Sequence, residues 1–239
     1  MPGAWEYRSP EVLVATLTRE LVATRWAVGF RNLRLPPSAQ TSQYSGAPFD
    51  HARNMACQGM LEHNFEWLFF IDDDVIPPPD AFQRLASHGK DIISGLYYRR
   101  ATPLMPVMLR YNAQGALTWI EQWSPPNALL EVDAVGAGCL LIHRRVLERM
   151  RSNWFEWQID KPVRCKLCDQ PALPAPAECP SQPGKPHEPK STQRLSEDFA
   201  FCDRAKKEFG FQIFVDTSVV CEHIGLGQSV GGAFTPSGV

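Results

Sequence analysis

A run of apolar residues that ends in three carboxylates is the feature that most constrains the fold of this chain. Residues 65–75 read Phe-Glu-Trp-Leu-Phe-Phe-Ile-Asp-Asp-Asp-Val. A run of this length is typical of a strand that is buried on both faces of a parallel sheet. In open α/β sheets, ligands bind beyond the carboxyl ends of the strands, which is where the three acids fall. The pattern therefore predicts an α/β fold with an acidic site at one edge of its sheet.

The spacing of the acids indicates what the site binds. If the strand continues, Asp72 and Asp74 point to the same side, because side chains on a strand alternate with period two. Two carboxylates so placed can hold a hard divalent cation, and the cation can hold a diphosphate. The alternative is a solvated acidic turn, since the three prolines at 77–79 end the strand. Three adjacent acids repel one another unless something neutralises them, which favours the metal interpretation.

The remaining apolar patterns predict strands that alternate with helices in an open mixed α/β sheet, mainly parallel with a few antiparallel strands and flanked by helices. We expect Asp50 to cap the first helix, and Gly210 to follow the last helix as its C′ residue. The predicted strands cover 11–16, 65–71, 91–98, 130–142 and 211–222. The predicted helices cover 51–63, 80–88, 144–151 and 197–209, with a hairpin at 104–123, a polar loop up to residue 48 and a flexible glycine-rich tail at 226–239.

Composition narrows the class of protein. The 239 residues are 44% hydrophobic and 21% charged, which suits one soluble domain over residues 1–239. The formal net charge of −2 excludes a global attraction to nucleic acid or to anionic membranes. No stretch approaches the roughly 18 apolar residues of a membrane span, so we expect no stable membrane insertion and a cytoplasmic location. Seven cysteines without a secretion signal argue against a disulfide framework.

The composition changes sharply between residues 160 and 194. Eight of the 34 residues at 161–194 are proline, which predicts an inserted loop without regular secondary structure. Within it, four residues have the spacing C-x2-C-x10-C-x7-H, which suits a tetrahedral Zn²⁺ site that staples a loop with no core of its own. These residues are Cys165, Cys168, Cys179 and His187. The alternative interpretation is a disordered loop with incidental thiols.

Four further motifs accompany the acids, and each also has a purely structural interpretation. In the structural interpretation, the motifs are a surface arginine, a strand glycine at a bulge, a capped helix with acids in its first turn and a histidine at a strand end. The motifs are Asp50-His-Ala-Arg-Asn54, Val132-Asp-Ala-Val-Gly-Ala-Gly138, Ser196-Glu-Asp198 and Glu222-His-Ile-Gly225. Together with Ile71-Asp-Asp-Asp-Val75, they occur in the order seen in GT-A-fold glycosyltransferases. From about residue 11 to about residue 225, apart from the insertion, the chain resembles that Rossmann-like family.

The resemblance implies transfer of a sugar from a UDP- or GDP-linked donor to a hydroxyl acceptor, assisted by Mn²⁺ or Mg²⁺. The cation neutralises charge that develops on the departing nucleoside diphosphate. By the resemblance, the metal residues would be Asp72, Asp74 and His223. The donor or nucleotide would contact Arg53, Asn54, Asp72, Asp73, Gly136 and Gly138. An imidazole among oxygen ligands would favour Mn²⁺, because Mg²⁺ prefers all-oxygen shells.

The resemblance also implies a role for the acidic pair at 197–198. In an inverting enzyme, which we favour, Asp198 would be the base that deprotonates the acceptor hydroxyl, with Glu197 as its helper. In a retaining enzyme, Asp198 would instead orient the acceptor or donor.

The acceptor is the least constrained part of the prediction. Similar small GT-A enzymes occur among bacteriophage proteins, where a hydroxylated base in DNA is one acceptor class, and the location would then be the host cytoplasm. Residues 161–194 carry a local charge of +3, which is compatible with contacts to the phosphates of a DNA strand. The aromatic side chains of Trp154, Phe155 and Trp157 are compatible with stacking on an exposed base.

Two other functions are also considered. A sugar-phosphate nucleotidyltransferase would show a glycine-rich loop after its first strand, and residues 14–20 contain no glycine. A nonenzymatic nucleic-acid-binding module built on the zinc-stapled insertion would leave the three acids unexplained.

Overall fold

The computed structural model describes residues 11–159, 165–168, 170, 178–188, 193–225 and 229–230. The helices are α1 Thr24–Arg31, α2 Phe49–Glu62, α3 Ala81–Ser87, α4 Arg144–Met150 and α5 Glu197–Phe209. The strands are β1 Val12–Thr18, β2 Gln40–Ser45, β3 Trp67–Ile71, β4 Val75–Ile76, β5 Ile92–Leu96, β6 Met108–Tyr111, β7 Leu117–Trp119, β8 Leu129–Val132, β9 Ala134–Val135, β10 Cys139–His143, β11 Gln158–Ile159, β12 Glu178–Cys179, β13 Gln182–Pro186, β14 Gln193–Leu195, β15 Ile213–Val220, β16 Glu222–Ile224 and β17 Ser229–Val230.

A seven-stranded sheet with the order β2-β1-β3-β10-β5-β15-β8 organises these elements. β1 runs parallel to both β2 and β3, and β15 runs parallel to β5. β10 is antiparallel to β3 and β5, and β8 is antiparallel to β15. The expected mixed α/β sheet is confirmed, but three of its six strand pairs are antiparallel, which is more than the few expected. Among the described residues, no helix has the length and apolar character that crossing a membrane requires.

β3 is apolar throughout because both of its faces are covered. Leu68 and Phe70 pack into a core that also holds buried residues of α2, α4 and α5. Trp67, Phe69 and Ile71 pack into a second core with residues of α1 and α3. All five residues of the strand are buried, so the predicted central strand is confirmed. Its position next to β1 brings its carboxyl end to the same edge as that of β1.

The acids themselves lie beyond the strand. β3 ends at Ile71, and Asp72, Asp73 and Asp74 form a turn in which the Val75 N–H donates to the Asp72 carbonyl at 3.0 Å. The expectation that the acids continue the strand with period two is therefore wrong, because the chain turns immediately after the last buried residue. The three prolines follow the short strand β4 rather than β3.

The segment expected as a polar loop up to residue 48 contains a helix and a strand. β2 pairs with β1 at the edge of the sheet, and its residues are exposed or half-buried. An edge strand of this kind needs no apolar alternation, so its polar sequence gave no strand signal. α1 is anchored by Trp26, which is buried under the acidic turn and donates its indole N–H to the Asp72 carbonyl at 2.8 Å.

α2 begins two residues earlier in the chain than expected, at Phe49. Pro48 is the N-cap and Asp50 lies in the first turn, so Asp50 does not cap the helix. The buried face includes Arg53, whereas Met55 is exposed.

Two predicted long strands are each divided in the structure. The segment at 130–142 forms β8, β9 and β10, and the break coincides with Gly136 and Gly138. Both glycines face the Tyr97 ring: a Cβ on Gly136 would lie 2.0 Å from the Tyr97 hydroxyl oxygen. The segment at 211–222 forms β15 and the start of β16, so that the chain turns onto β4.

The hairpin, the last two helices and Gly210 follow the sequence prediction. β6 and β7 pair antiparallel, and Gly210 adopts a left-handed φ of 74° after α5. The insertion contains more regular structure than expected, because β12 pairs with β13 and β11 pairs with β14. Of the tail, β17 pairs with β16, and the remaining tail residues lie outside the described ones.

The central strand β10 provides a test of where the stability lies. Leu140 is fully buried between β3 and β5, whereas Leu104 is 48% exposed. Leu140→Ala should lower the free energy of unfolding by roughly 3–5 kcal/mol because it leaves a cavity in a close-packed core. Leu104→Ala should change it by less than about 1 kcal/mol. Urea unfolding followed by circular dichroism measures both values, and equal losses would contradict this assignment of the core.

Candidate functional site

One cavity of about 610 Å³ at the carboxyl ends of β1 and β3 collects most of the charged residues singled out by sequence. Its lining comprises Leu17, Arg19, Leu21, Ala23, Phe49, Arg53, Asp72, Asp73, Asp74, Tyr97, Arg99, Arg100, Val107, Trp119, Glu197, Asp198, His223, Ile224 and Gly225. The three acids after β3, the acidic pair that begins α5 and the histidine after β15 thus meet in one place, although the three acids precede the other two groups by more than a hundred residues in sequence.

The pairing of β16 with β4 brings His223 to the acids. His223 is opposite Val75 in this antiparallel pair, and the Ile224 N–H donates to the Asp74 carbonyl at 2.7 Å. The turn and the histidine are therefore joined by backbone hydrogen bonds, and their relative position does not depend on flexible side chains.

Arg53 lies at the centre of the site as a buried cation. It is 3% exposed, and its Nη2 donates to both carboxylate oxygens of Asp72 at 3.1 and 3.2 Å. Its Nε donates to Glu197 Oε1 at 3.4 Å. Burial alone would lower the pKa of Arg53, but the two carboxylates raise it above its ordinary value. A surface arginine, the structural interpretation of this position, is thus excluded.

The guanidinium of Arg53 also lies over aromatic rings. Its Cζ is 5.1 Å from the centroid of Phe70 and 5.8 Å from that of Phe155. Its Nη1 is buried and has no hydrogen-bond partner among the described residues. Because a buried, unpaired donor is costly, this nitrogen is an unsatisfied group at the floor of the cavity.

Asp74 and His223 form the second pair of interacting side chains. The Nδ1–H of His223 donates to the Tyr98 carbonyl at 2.6 Å, because a carbonyl oxygen can only accept. Its Nε2 then faces Asp74 Oδ1 at 3.4 Å, and Arg100 Nη1 lies 2.8 Å from Asp74 Oδ2. Burial alone would raise the pKa of Asp74, but His223 and Arg100 lower it below its ordinary value. Asp74 is therefore a carboxylate at neutral pH.

This pair has the donor chemistry that a divalent cation requires. A histidine whose Nδ1–H is held by a backbone carbonyl presents Nε2 in a fixed direction, as metal-ligating histidines do. Asp74 adds an ionised oxygen ligand next to it. All three acids have partners, since Asp72 accepts from Arg53, Asp73 Oδ2 accepts from the Arg19 N–H at 3.1 Å, and Asp74 Oδ2 pairs with Arg100. Asp74 Oδ1 and His223 Nε2 could supply two ligands to a cation, and Asp72 could supply a third only if it is shared with Arg53.

The acidic pair of α5 differs in burial and in protonation. Glu197 is buried, and burial together with the nearby Asp198 raises its pKa to about 7. Asp198 is half-buried, and its Oδ1 accepts from the Ser196 hydroxyl and from the Phe199 N–H. Ser196 precedes the helix but makes no side-chain cap to a backbone N–H, so the expected serine cap is wrong. Its hydroxyl hydrogen-bonds the candidate base instead.

Three residues predicted to contact the donor do not line the cavity. The side-chain amide of Asn54 makes two hydrogen bonds with the backbone of Phe155, at 2.7 and 3.0 Å. Gly136 and Gly138 make room for Tyr97, whose hydroxyl accepts from the Gly138 N–H at 3.1 Å. All three residues thus shape the site through neighbours rather than by facing its interior.

The aromatic wall of the cavity is also different from the expected one. Trp154 and Phe155 are core residues, and Phe155 stacks on Phe201 with ring centroids 4.6 Å apart. Trp119 of the β6–β7 hairpin lines the cavity instead, with the Arg99 guanidinium 5.9 Å from its ring centroid. Nothing in the local sequence distinguished Trp119. Arg19 could have been found, because it directly follows a parallel strand at its carboxyl end.

A second cluster lies in the insertion. The ligand atoms of Cys165, Cys168, Cys179 and His187 lie within 4.8 Å of one another and could hold a metal ion such as zinc. The Cys165 and Cys179 sulfurs are 3.8 Å apart, close to the separation of about 3.8 Å expected for two thiolates 2.3 Å from one tetrahedral Zn²⁺. Burial alone would raise the pKa of Cys165, but backbone N–H groups of Leu167 and Cys168 lower it to about 6.

Comparison with known proteins identifies the fold only. No protein-family model matches the chain, and no curated protein matches it. Among solved structures, the crystal structure of A197 from STIV is similar, with a TM-score of 0.55 and 15% sequence identity. The match covers 96% of this chain and 97% of that chain. At this identity the similarity shows a shared fold across nearly the whole of both chains.

The insertion should contain one tightly bound zinc ion per chain, because the ligand atoms of three thiols and an imidazole lie within 4.8 Å of one another. Elemental analysis of the purified protein should give about one zinc, and Cys168→Ser should lose most of it. Cys202→Ala, which removes a buried thiol outside the cluster, should keep the full zinc content. A wild-type protein without zinc would leave incidental thiols as the explanation.

Glu197→Gln should flatten the pH dependence of stability. The folded carboxyl keeps its proton up to about pH 7, whereas the unfolded chain releases it near the ordinary pKa of 4.5. The wild-type free energy of unfolding therefore falls as the pH rises from about 4.5 to about 7, on the order of 3 kcal/mol from this group. Urea unfolding at several pH values measures the slope. The exposed Glu208→Gln is the control, and parallel curves for the wild type and Glu197→Gln would contradict the assignment.

Proposed function

We propose that this protein is a metal-dependent glycosyltransferase of the GT-A fold that moves a sugar from a nucleotide-diphosphate sugar to a hydroxyl acceptor. The observation that carries the proposal is the single cavity in which the acidic turn, His223, Arg53 and the acidic pair of α5 meet. The cavity lies beyond the carboxyl ends of parallel strands, where open α/β sheets bind ligands. The shared fold with A197 from STIV is compatible with this architecture.

The cation, Mn²⁺ or Mg²⁺, would be held by Asp74 and His223, with Asp72 as a further ligand. When bound, it supplies positive charge where a departing nucleoside diphosphate accumulates negative charge. The imidazole favours Mn²⁺, since Mg²⁺ selects oxygen ligands.

The arginines of the cavity would hold the donor's phosphates. Arg19, Arg99 and Arg100 line its walls, and Arg53 lies at its floor. Guanidinium groups bind phosphate oxygens through charge-assisted, often bidentate hydrogen bonds. Arg53 also holds Asp72 in place, so its buried position orients an acid that faces the nucleotide. Asp73 remains the proposed contact to the ribose or the sugar.

Asp198 would accept the proton of the acceptor hydroxyl in an inverting reaction. Its Oδ1 is fixed by hydrogen bonds from Ser196 and Phe199, so the carboxylate has one orientation before substrate arrives. Glu197 is its buried helper, and its proton near neutral pH removes a competing negative charge from the base.

The acceptor we propose remains a hydroxylated base in DNA, with a cytoplasmic location. Trp119 replaces the core aromatics as the ring on which a base would stack, next to the guanidinium of Arg99. Lys166 and Lys185 of the insertion are exposed and can contact phosphates. Binding should be modest and weaken with salt, because the net charge is −2.

A donor screen tests the proposal. Nucleoside diphosphate release is measured from a panel of UDP- and GDP-sugars with Mn²⁺, in the presence of hydroxymethylated DNA, a protein glycan or a small sugar. A glycosyltransferase releases UDP or GDP, whereas a nucleotidyltransferase would release pyrophosphate from a nucleoside triphosphate. Labelling of only the glycan or small sugar would reject DNA as the acceptor and keep the reaction class.

Asp74→Ala should abolish metal-dependent donor cleavage. Removing the ionised ligand loses several kcal/mol of transition-state stabilisation, which corresponds to on the order of a thousandfold in rate. Asp80→Ala is the control, because Asp80 precedes α3 and is ion-paired with Arg84 outside the cavity. Full activity in excess chelator would reject the metal-dependent mechanism.

Asp198→Asn should keep donor affinity and lose turnover by roughly a hundred- to ten-thousandfold, because the amide cannot accept a proton. Asp203→Asn lies on the same helix and pairs with Lys207, so it should remain active. Steady-state kinetics with varied donor separates the two effects. Normal turnover in Asp198→Asn would assign this residue a structural role.

A further inference from the structure

The start of α5 has no side-chain cap of its own. Ser196 hydrogen-bonds the Asp198 carboxylate rather than a backbone N–H of the first turn. The direction in which the helix begins, and with it the position of Glu197 and Asp198, is therefore set by the chain that leads into it, by packing of the helix body and by the Arg53–Glu197 pair.

The chain that leads into α5 is β14. It pairs with β11, and the register of this two-stranded ladder shifts between Gln158 and Ile159. Ladders this short are marginal in isolation. The two strands also enclose the whole insertion, from Ile159 to Gln193, so that forming the ladder requires closing a long loop.

The Cys/His cluster shortens that loop. Its first ligand, Cys165, follows Ile159 by six residues, and its last ligand, His187, precedes Gln193 by six residues. The cluster brings these two points together, with a further hydrogen bond from the Lys166 N–H to the Glu188 carbonyl at 2.7 Å. Within the described residues, the buried groups of this cluster pack only against Cys168 and not against the main core. A metal ion is thus the interaction that can hold it closed.

We propose that Zn²⁺ bound by this cluster positions the acidic pair of α5 in the active site. The ion ties the ends of the insertion together, the tied ends stabilise the β11–β14 ladder, and the ladder fixes the entry into α5. The four ligands act through Glu197 and Asp198, so they are positioning residues. The proposal rests on the proposed function, in which Asp198 accepts the proton of the acceptor hydroxyl. Zinc would support that step by holding Asp198 in position.

The test compares Cys168→Ser with Ser181→Ala, a substitution at an exposed residue of the same insertion that is not a ligand. Hydrogen exchange by mass spectrometry is measured over residues 193–204, with zinc content measured on the same samples. Loss of zinc should speed exchange in this segment at least tenfold, including the Ala200 N–H that donates to the Ser196 carbonyl. Exchange in β3 and β10 should not change, and Ser181→Ala should behave as the wild type.

Kinetics provide the second measurement. Zinc loss should lower kcat on the order of a hundredfold, because a small displacement of a catalytic group is sufficient for such a loss, while donor affinity in Mn²⁺ stays the same. If Cys168→Ser does not fold, zinc is removed from the wild type with a chelator and Mn²⁺ is restored before measurement. Unchanged exchange at 193–204 after zinc loss would overturn the proposal, as would a wild type without zinc. Faster exchange in a protein that cleaves no donor would support zinc-dependent positioning and reject the proposed reaction.

Discussion

The buried guanidinium of Arg53 is the interaction on which the site depends. It joins α2 to the acidic turn after β3 and to the first residue of α5, and among the described residues no backbone hydrogen bond connects these three elements. A buried cation is tolerated only when it is paired, and Asp72 and Glu197 are the partners of Arg53. Arg53 depends most on Asp72, because the pKa of Glu197 is raised to about 7 and its carboxyl is only partly ionised near neutral pH. This explains why a polar cluster persists between Phe70 and Phe155.

The backbone around this cluster is arranged to bring remote segments to one edge. β3 ends at the last buried residue, and the chain turns at once into β4, which provides a place for β16 to pair. The pairing sets His223 beside Asp74. On the other side, Gly136 and Gly138 admit Tyr97, which closes the wall of the cavity. Rigid backbone contacts thus position the ligands, which suits a site that must bind charge without reorganising.

The sequence identified the fold class and most charged residues of the site because both depend on strong local signals. β3 is apolar on both faces, and acids at the end of such a strand are rare without a partner. The sequence did not reveal the edge strand β2, whose polar residues face solvent, or the division of the segment at 130–142, which depends on the remote ring of Tyr97. The sequence also left a surface position open for Arg53, because the carboxylates that make its burial tolerable come from remote segments, the turn after β3 and the start of α5.

The charges of the cavity indicate how its proposed ligands would depend on one another. Four arginines and five carboxyl groups line the cavity. Because the pKa of Glu197 is about 7, its carboxyl is only partly ionised near neutral pH, and the positive and negative charges of the cavity are close to equal. A diphosphate alone would add negative charge beside Asp72, Asp73 and Asp74, and a divalent cation alone would add positive charge beside Arg53 and Arg100. Bound together, the two ligands cancel. Each should therefore raise the affinity for the other by the same factor, since the coupling free energy between two ligands is reciprocal. In the proposed function, the acids and arginines would recognise the metal–diphosphate unit rather than either component alone.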